Sequence, residues 1–391
     1  MDRFVYAAEH LNWGAGYIIL IILYTFLSFM YKEYNQKYFF YFALFLVIFI
    51  SGTRSIVNYD MENYKIMYEN YKSLTVLEIE PGFIFLSWLL NFIAKGPYLL
   101  FFTYSFLNVA FVYLGIKNFT ERLAFPFFLY LTFPSLFLMS LIGIRQNLAE
   151  AIFFYAVSHL FRKDLFKFIV FGILAVFFHY SAIFIFIIVL GVYFLIKGVN
   201  FTFSVMLVAA SIFIDFLGIN KLMLVKFLSF IYPVLPAKYD SYAMLLIAGR
   251  AFNLKGFSIY SLILFNALLL LILYFISFFR KTDDKFARYD LIINLLIAGT
   301  FYVNIFGSFA DVTARLFNYF LFFYIILIPV VLSKFTKYLR ITAIYLLAVF
   351  SIVWFFSGVY KKIGGIHTPP LIYKNIIINF LRDSRFSDFH D

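Results

Sequence analysis

The chain contains no cysteine in 391 residues. That excludes disulfides, thiolate nucleophiles and cysteine-held metals. Charge is scarce as well: Asp, Glu, Lys and Arg make up 13% of the residues, against about a quarter in an average soluble domain. A soluble fold of this length would lack the polar side chains to cover its surface. No GxxxxGK[ST] phosphate loop is present, and no GxGxxG follows a strand pattern, so neither ATP nor a dinucleotide is implied. The five histidines are scattered, without HxxxH spacing or an acidic cluster beside them, so no metal is expected. Nothing suggests a cofactor. Internal repeats and paired interrupted helices of the transporter kind are also missing.

What remains is apolar and aromatic. Hydrophobic residues account for 64% of the chain, with 59 Phe and 31 Tyr, and the mean hydropathy is +0.93. This composition implies an all-α, polytopic integral membrane protein folded as a single domain over 1–391. At about 20 residues per span plus a short loop, the length allows about a dozen crossings. The formal charge of +12 then means positive cytoplasmic loops and attraction to anionic lipid rather than nucleic acid.

Hydropathy and charge parity give twelve expected spans: 17–30, 38–50, 98–116, 125–142, 144–160, 168–178, 182–196, 201–217, 258–279, 291–306, 312–332 and 341–356. Lys32 and Lys37 follow the first span, which places both chain ends outside. The apolar run 83–94 is too short to cross and reads as an interfacial or re-entrant helix within a first outer loop, 51–97. A second outer loop covers 218–257 and an outer tail 358–391.

Several residues do not belong in such an environment. Arg145 lies in LMSLIGIRQNLAEAIFF, between apolar helices, and Gln146 and Glu150 follow it at i, i+4. An arginine there is costly unless it pairs, faces water or snorkels to the interface. His179 sits in AVFFHYSAIFIF at the turn of a hairpin, with no charged neighbour in sequence. Asp311 and Arg315 stand at i, i+4 where a span begins, an intrahelical ion pair or a cation facing an outer cavity. The first loop adds Arg54, Asp60, Tyr64 and Glu80, and Tyr64, Tyr68 and Tyr71 form an aromatic stripe if the segment is helical. The second adds Lys221, Lys226, Lys238, Asp240 and Arg250. Together these suggest a cationic, aromatic-lined outer cavity. Arginine suits phosphate oxygens through its bidentate fork, so a lipid diphosphate is the expected ligand.

The motifs SGTRSIVNYDMENY, IEPGF, GIRQNLAEAI and AVFFHYSAIF, in that order, resemble the EpsG/Wzy group of bacterial polysaccharide polymerases. The resemblance covers about 20–200 well; later segments such as ARLFNYF and PPLIYK are only suggestive. It implies a GT-C-like membrane glycosyltransferase fold in the bacterial inner membrane, with its site facing the periplasm and no required metal. It also implies transfer of a growing O-antigen or exopolysaccharide chain from undecaprenyl diphosphate to an incoming lipid-linked repeat unit. The implied partners are undecaprenyl-diphosphate-linked oligosaccharides, membrane lipids and a chain-length regulator protein. The matching positions are Arg54, Asp60, Glu80, Arg145, Gln146 and His179.

In that scheme Arg145, Arg315, Gln146 and Arg54 are candidate diphosphate ligands. Asp60, Glu80 and His179 are candidate bases, with the carboxylates favoured, and His179 is also a candidate diphosphate ligand. Tyr64, Tyr180 and Arg250 are candidate sugar contacts. An O-antigen ligase, or another transferase using a polyprenyl phosphate, is the nearest alternative. A lipid-linked oligosaccharide flippase is the alternative outside enzymes.

Overall fold

The computed structural model describes residues 19–30, 37–54, 59–133, 135–220, 222, 225, 226, 229, 244, 259–280, 284–307 and 315–363. Among the described residues there are helices and turns but no strands. The helices are α1 (Ile19–Met30), α2 (Lys37–Gly52), α3 (Tyr59–Glu69), α4 (Pro81–Asn91), α5 (Tyr98–Phe119), α6 (Ala124–Thr132) and α7 (Phe137–Ser140). They continue with α8 (Ile144–Phe161), α9 (Leu165–Phe178), α10 (Ala182–Leu195), α11 (Phe201–Phe216) and α12 (Ile259–Arg280). The last three are α13 (Asp290–Phe306), α14 (Asn318–Leu332) and α15 (Lys337–Ile363).

Among the described residues, four segments are long and apolar enough to cross a membrane: Tyr98–Phe119, Tyr260–Arg280, Phe286–Phe306 and Lys337–Trp354. Seven shorter apolar helices accompany them. Most helices fall on the expected runs, with two departures. The expected span 125–142 is broken into α6 and the four-residue α7. Phe133 adopts φ −80°, ψ 108°, because the residue before a proline, here Pro134, is driven out of the helical region. At the other end, α15 runs on to Ile363, past the expected start of the tail at 358. Most of the loop 218–257, including Arg250, and the tail beyond 363 lie outside the described residues, as does Asp311.

The chain divides into two compact units, Met1–Ala182 with Ile341–Asp391, and Ile183–Arg340. In the first, α8 is the central helix, packed against α5 and α9, while α2 packs on the other side of α5. Fourteen of its eighteen residues are buried, as expected of a helix enclosed on all sides. Gly115 of α5 admits the Phe154 ring of α8 where a Cβ would stand 2.5 Å from it. α15 contributes Trp354, whose ring lies 5.2 Å from Phe133.

The second unit holds α10 to α14, with α13 against α11, α12 and α14. Its polar residues bond to one another: Asn304 donates to Ser211 Oγ (2.9 Å) and exchanges hydrogen bonds with Asn266 (2.8 and 2.9 Å). Arg280 pairs with Asp290 where α12 meets α13. Such internal pairing is required where no water reaches the backbone and side chains.

α4 has eleven residues, about 16 Å of helix against a hydrocarbon core of about 30 Å. It buries Phe83, Leu86 and Leu90 and exposes Phe85, Trp88 and Leu89, with Phe92 and Ile93 exposed just past its end. One face meets protein and the other is apolar and open, the pattern of an interfacial helix. In this cysteine-free chain, Glu78→Cys and Lys95→Cys should therefore be labelled by a membrane-impermeant maleimide from the same side. Labelling from opposite sides would make α4 a crossing helix.

Candidate functional site

Glu80, Arg145 and His179 come together in the first unit. Glu80 is the residue before Pro81 and the N-cap of α4; it is extended at φ −61°, ψ 139°, as pre-proline sterics favour. Its side chain does not cap its own helix. Its Oε2 instead accepts from an η nitrogen of Arg145, and its Oε1 lies 2.7 Å from His179 Nδ1. The contact depends on Gly82: a Cβ there would stand 2.8 Å from the Phe177 carbonyl and 2.9 Å from the Phe178 ring. Only glycine lets the start of α4 rest on the end of α9, where His179 is the C-cap. Tyr180, next in the chain, donates to the Val76 carbonyl (2.5 Å) and pins the loop ahead of Glu80.

Arg145 stands in the first turn of α8. Its guanidinium carbon lies 5.5 Å over the Tyr64 ring and 5.7 Å over Phe83, and the Tyr64 hydroxyl is within hydrogen-bonding reach. Its side chain is 19% exposed, so it does not snorkel. A small polar network sets where α8 begins. Asn147 donates to the carbonyls of Met139 (2.9 Å) and Gly143 (3.0 Å). Asn108 of α5 donates to the Asn147 carbonyl (3.0 Å), and Tyr130 donates to Asn108 Oδ1 (2.5 Å). Asn108 and Tyr130 were not singled out in the sequence. The available signal was an asparagine inside an otherwise apolar span.

The other sequence candidates fall elsewhere. Gln146 donates to Glu150 (2.9 Å), a fully buried carboxylate one turn on. Arg54 is buried and ties the end of α2 to α5 through the Ser51 carbonyl and Ser105 Oγ (2.9 Å), with Phe101 beneath it at 5.4 Å. Asp60 is exposed, one turn before Tyr64 on α3. Two tyrosines of the stripe turn inward. Tyr64 is buried against Phe83 and Arg145, and Tyr68 is buried with its hydroxyl on the Ala94 carbonyl (2.6 Å). His179 has a charged partner after all, 99 residues away in sequence. Arg315 belongs to the second unit. Among the described residues, no group of three or more His, Asp or Glu is arranged to hold a metal ion.

Electrostatically the site turns on Glu80. Burial pushes its carboxyl upward, but the hydrogen bond from His179 and the charges of Arg145 and His179 prevail and hold it down at about 2. The carboxylate is thus ionised at neutral pH and can only accept hydrogen bonds. It follows that the proton between Glu80 and His179 sits on Nδ1. Whenever the imidazole is neutral, its lone pair is on Nε2.

A family model described as the EpsG family matches residues 37–368. The chain belongs to the EpsG family. Membership sets it among polysaccharide polymerase-type membrane proteins. The matched region contains the Glu80, Arg145 and His179 cluster and most of both units. No curated protein and no solved structure matches the chain.

Two stability results should follow from the cluster. Glu80→Ala strands Arg145 without its carboxylate and should cost about 3 kcal/mol in detergent unfolding, whereas Glu80→Ala with Arg145→Met should recover most of it. A folded-state value below the ordinary 4.5 of a glutamate stabilises the native state fully above that pH. That stability is lost as pH falls toward 2. Thermal stability of the wild type should therefore drop over that interval, and that of Glu80→Gln should drop less.

Proposed function

We propose that this EpsG-family chain polymerises lipid-linked glycan repeat units at the periplasmic face of the bacterial inner membrane. In this reading it has twelve crossings and a GT-C-like fold. The growing chain is carried on undecaprenyl diphosphate and passes to a sugar hydroxyl of an incoming undecaprenyl-diphosphate-linked repeat. The observation that supports this best is the buried Glu80 bonded at once to Arg145 and His179. It pairs an oriented imidazole with a fixed guanidinium, one group for the acceptor proton and one for the leaving diphosphate.

In this scheme the acceptor oxygen forms a bond to the anomeric carbon of the donor sugar. The bond from that carbon to the phosphoryl oxygen breaks, and its electron pair stays on the diphosphate. The acceptor proton goes to His179 Nε2. Glu80 holds the ring in the tautomer that makes Nε2 the base and stabilises the imidazolium that forms. This reverses the preference for a carboxylate base, because both Glu80 oxygens are occupied and Asp60 is exposed. Arg145 meets the charge growing on the diphosphate from a preorganised position in a poorly solvated site. Arg145 would stand where a divalent ion stands in other diphosphate-dependent transferases, so the reaction needs no metal. Tyr180 remains a proposed sugar contact.

His179→Ala and Glu80→Gln should each lower turnover by about 100-fold or more. Arg145→Lys, which keeps the charge but loses the planar fork, should also weaken donor binding. The assay uses purified protein with lipid-linked repeat units, and EDTA should leave the rate unchanged. In cells lacking the chain, single unpolymerised repeats should accumulate on their acceptor. Polymer stranded on its lipid carrier would indicate a ligase instead, and loss of all surface glycan a flippase. Activity abolished by EDTA and restored by Mg²⁺ would remove Arg145 from the diphosphate role.

A further inference from the structure

Tyr104 is a buried phenol in α5 that the scheme above leaves idle. It is 2% exposed, and its hydroxyl has no hydrogen-bond partner among the described residues. Other buried tyrosines of this protein do find acceptors: Tyr24 on the Ala124 carbonyl, Tyr68 on that of Ala94, Tyr130 on Asn108 and Tyr324 on the Phe265 carbonyl. A buried hydroxyl left unbonded costs about 1–3 kcal/mol, and a phenylalanine would fill the same space without that cost.

The Tyr104 ring is locked in place, edge-on to Phe178 at 6.2 Å and 6.3 Å from Phe83. The same Phe83 ring lies beneath the Arg145 guanidinium. The phenol is within electrostatic reach of Arg145, Tyr64 and Glu80. Arg145 has an idle donor of its own: Nε is buried with no acceptor among the described residues. Guanidinium Nε can only donate, so what that atom lacks is an acceptor.

We propose that Tyr104 Oη and Arg145 Nε are the two donors of one oxyanion site that takes a phosphoryl oxygen of the lipid diphosphate. The proposal rests on the polymerase reading above and adds to it the residue that shares the leaving-group charge with Arg145. An anionic oxygen is favoured over a sugar hydroxyl because one of the two donors is cationic. Donors placed where charge develops bind the departing oxygen more tightly than the bonded one. Tyr104 would then act on the leaving group, leaving the acceptor proton to His179.

The test compares wild type with Tyr104→Phe, each in nanodiscs of phosphatidylcholine, for binding of undecaprenyl diphosphate and of undecaprenol. Tyr104→Phe should unfold at the wild-type temperature or slightly above it. It should bind the diphosphate about tenfold more weakly, as befits a lost hydrogen bond to a charged group, with undecaprenol binding unchanged. Incorporation of 3,5-difluorotyrosine at 104, a stronger donor of the same shape, should tighten diphosphate binding. Equal diphosphate affinity in wild type and Tyr104→Phe, or an equal loss for both lipids, would overturn the oxyanion site and leave the polymerase reading standing. Failure of the wild type to bind undecaprenyl diphosphate at all would overturn both.

Discussion

A carboxylate that is 5% exposed cannot stay charged in this protein without partners. Glu80 has two, and they come from helices far apart in the chain. Desolvation works against the charged form, and the hydrogen bond and cations work for it. The balance holds only while the N-terminus of α4, the first turn of α8 and the C-terminus of α9 stay in register. Much of the first unit serves that register. Gly82 allows the close approach of α4 to α9, and the Asn108, Asn147 and Tyr130 network sets where α8 starts. The aromatic rings of Tyr64 and Phe83 support the guanidinium from below.

Both units pair buried polar groups, and among the described residues both leave some donors without acceptors, Arg280 Nε and Thr300 Oγ1 in the second. In the second, Asn266, Asn304 and Ser211 satisfy one another, and Arg280 is matched by Asp290. Those groups hold helices together where lipid offers no hydrogen bonds. In the first unit, donors at Tyr104 and Arg145 are buried without acceptors. A closed network is a structural device. In the oxyanion proposal, the idle donors of the first unit are the ones that meet the phosphoryl oxygen.

Low polarity around the cluster strengthens every interaction in it. A guanidinium stacked on two aromatic rings is cheaper to bury than an ammonium and keeps a fixed orientation. An imidazole whose Nδ1 proton is held by a carboxylate has one tautomer open to it. Orientation and charge are thus decided before any substrate binds, and little reorganisation is left for the reaction itself.

Much of this was legible in the residues alone. Membrane residence follows from composition, because 13% charged residues cannot cover a soluble surface. Most helix positions follow from apolar runs bounded by basic residues, and the shortness of α4 follows from that of its apolar run. Arg145 and His179 stood out because a charged or titratable group among apolar helices needs an explanation, and Glu80 stood among the candidates of the first outer loop. Tertiary structure alone decided which charges meet. Glu80 and His179 are neighbours only because α4 folds back onto α9, and no periodicity encodes a contact across 99 residues. It also turned two tyrosines of the stripe inward, assigned Arg54 to holding α2 on α5, and broke a predicted span at Phe133. Sequence patterns report local energies, such as transfer to lipid and helix sterics. Pairing of buried charges is a long-range energy, fixed only when the helices have packed.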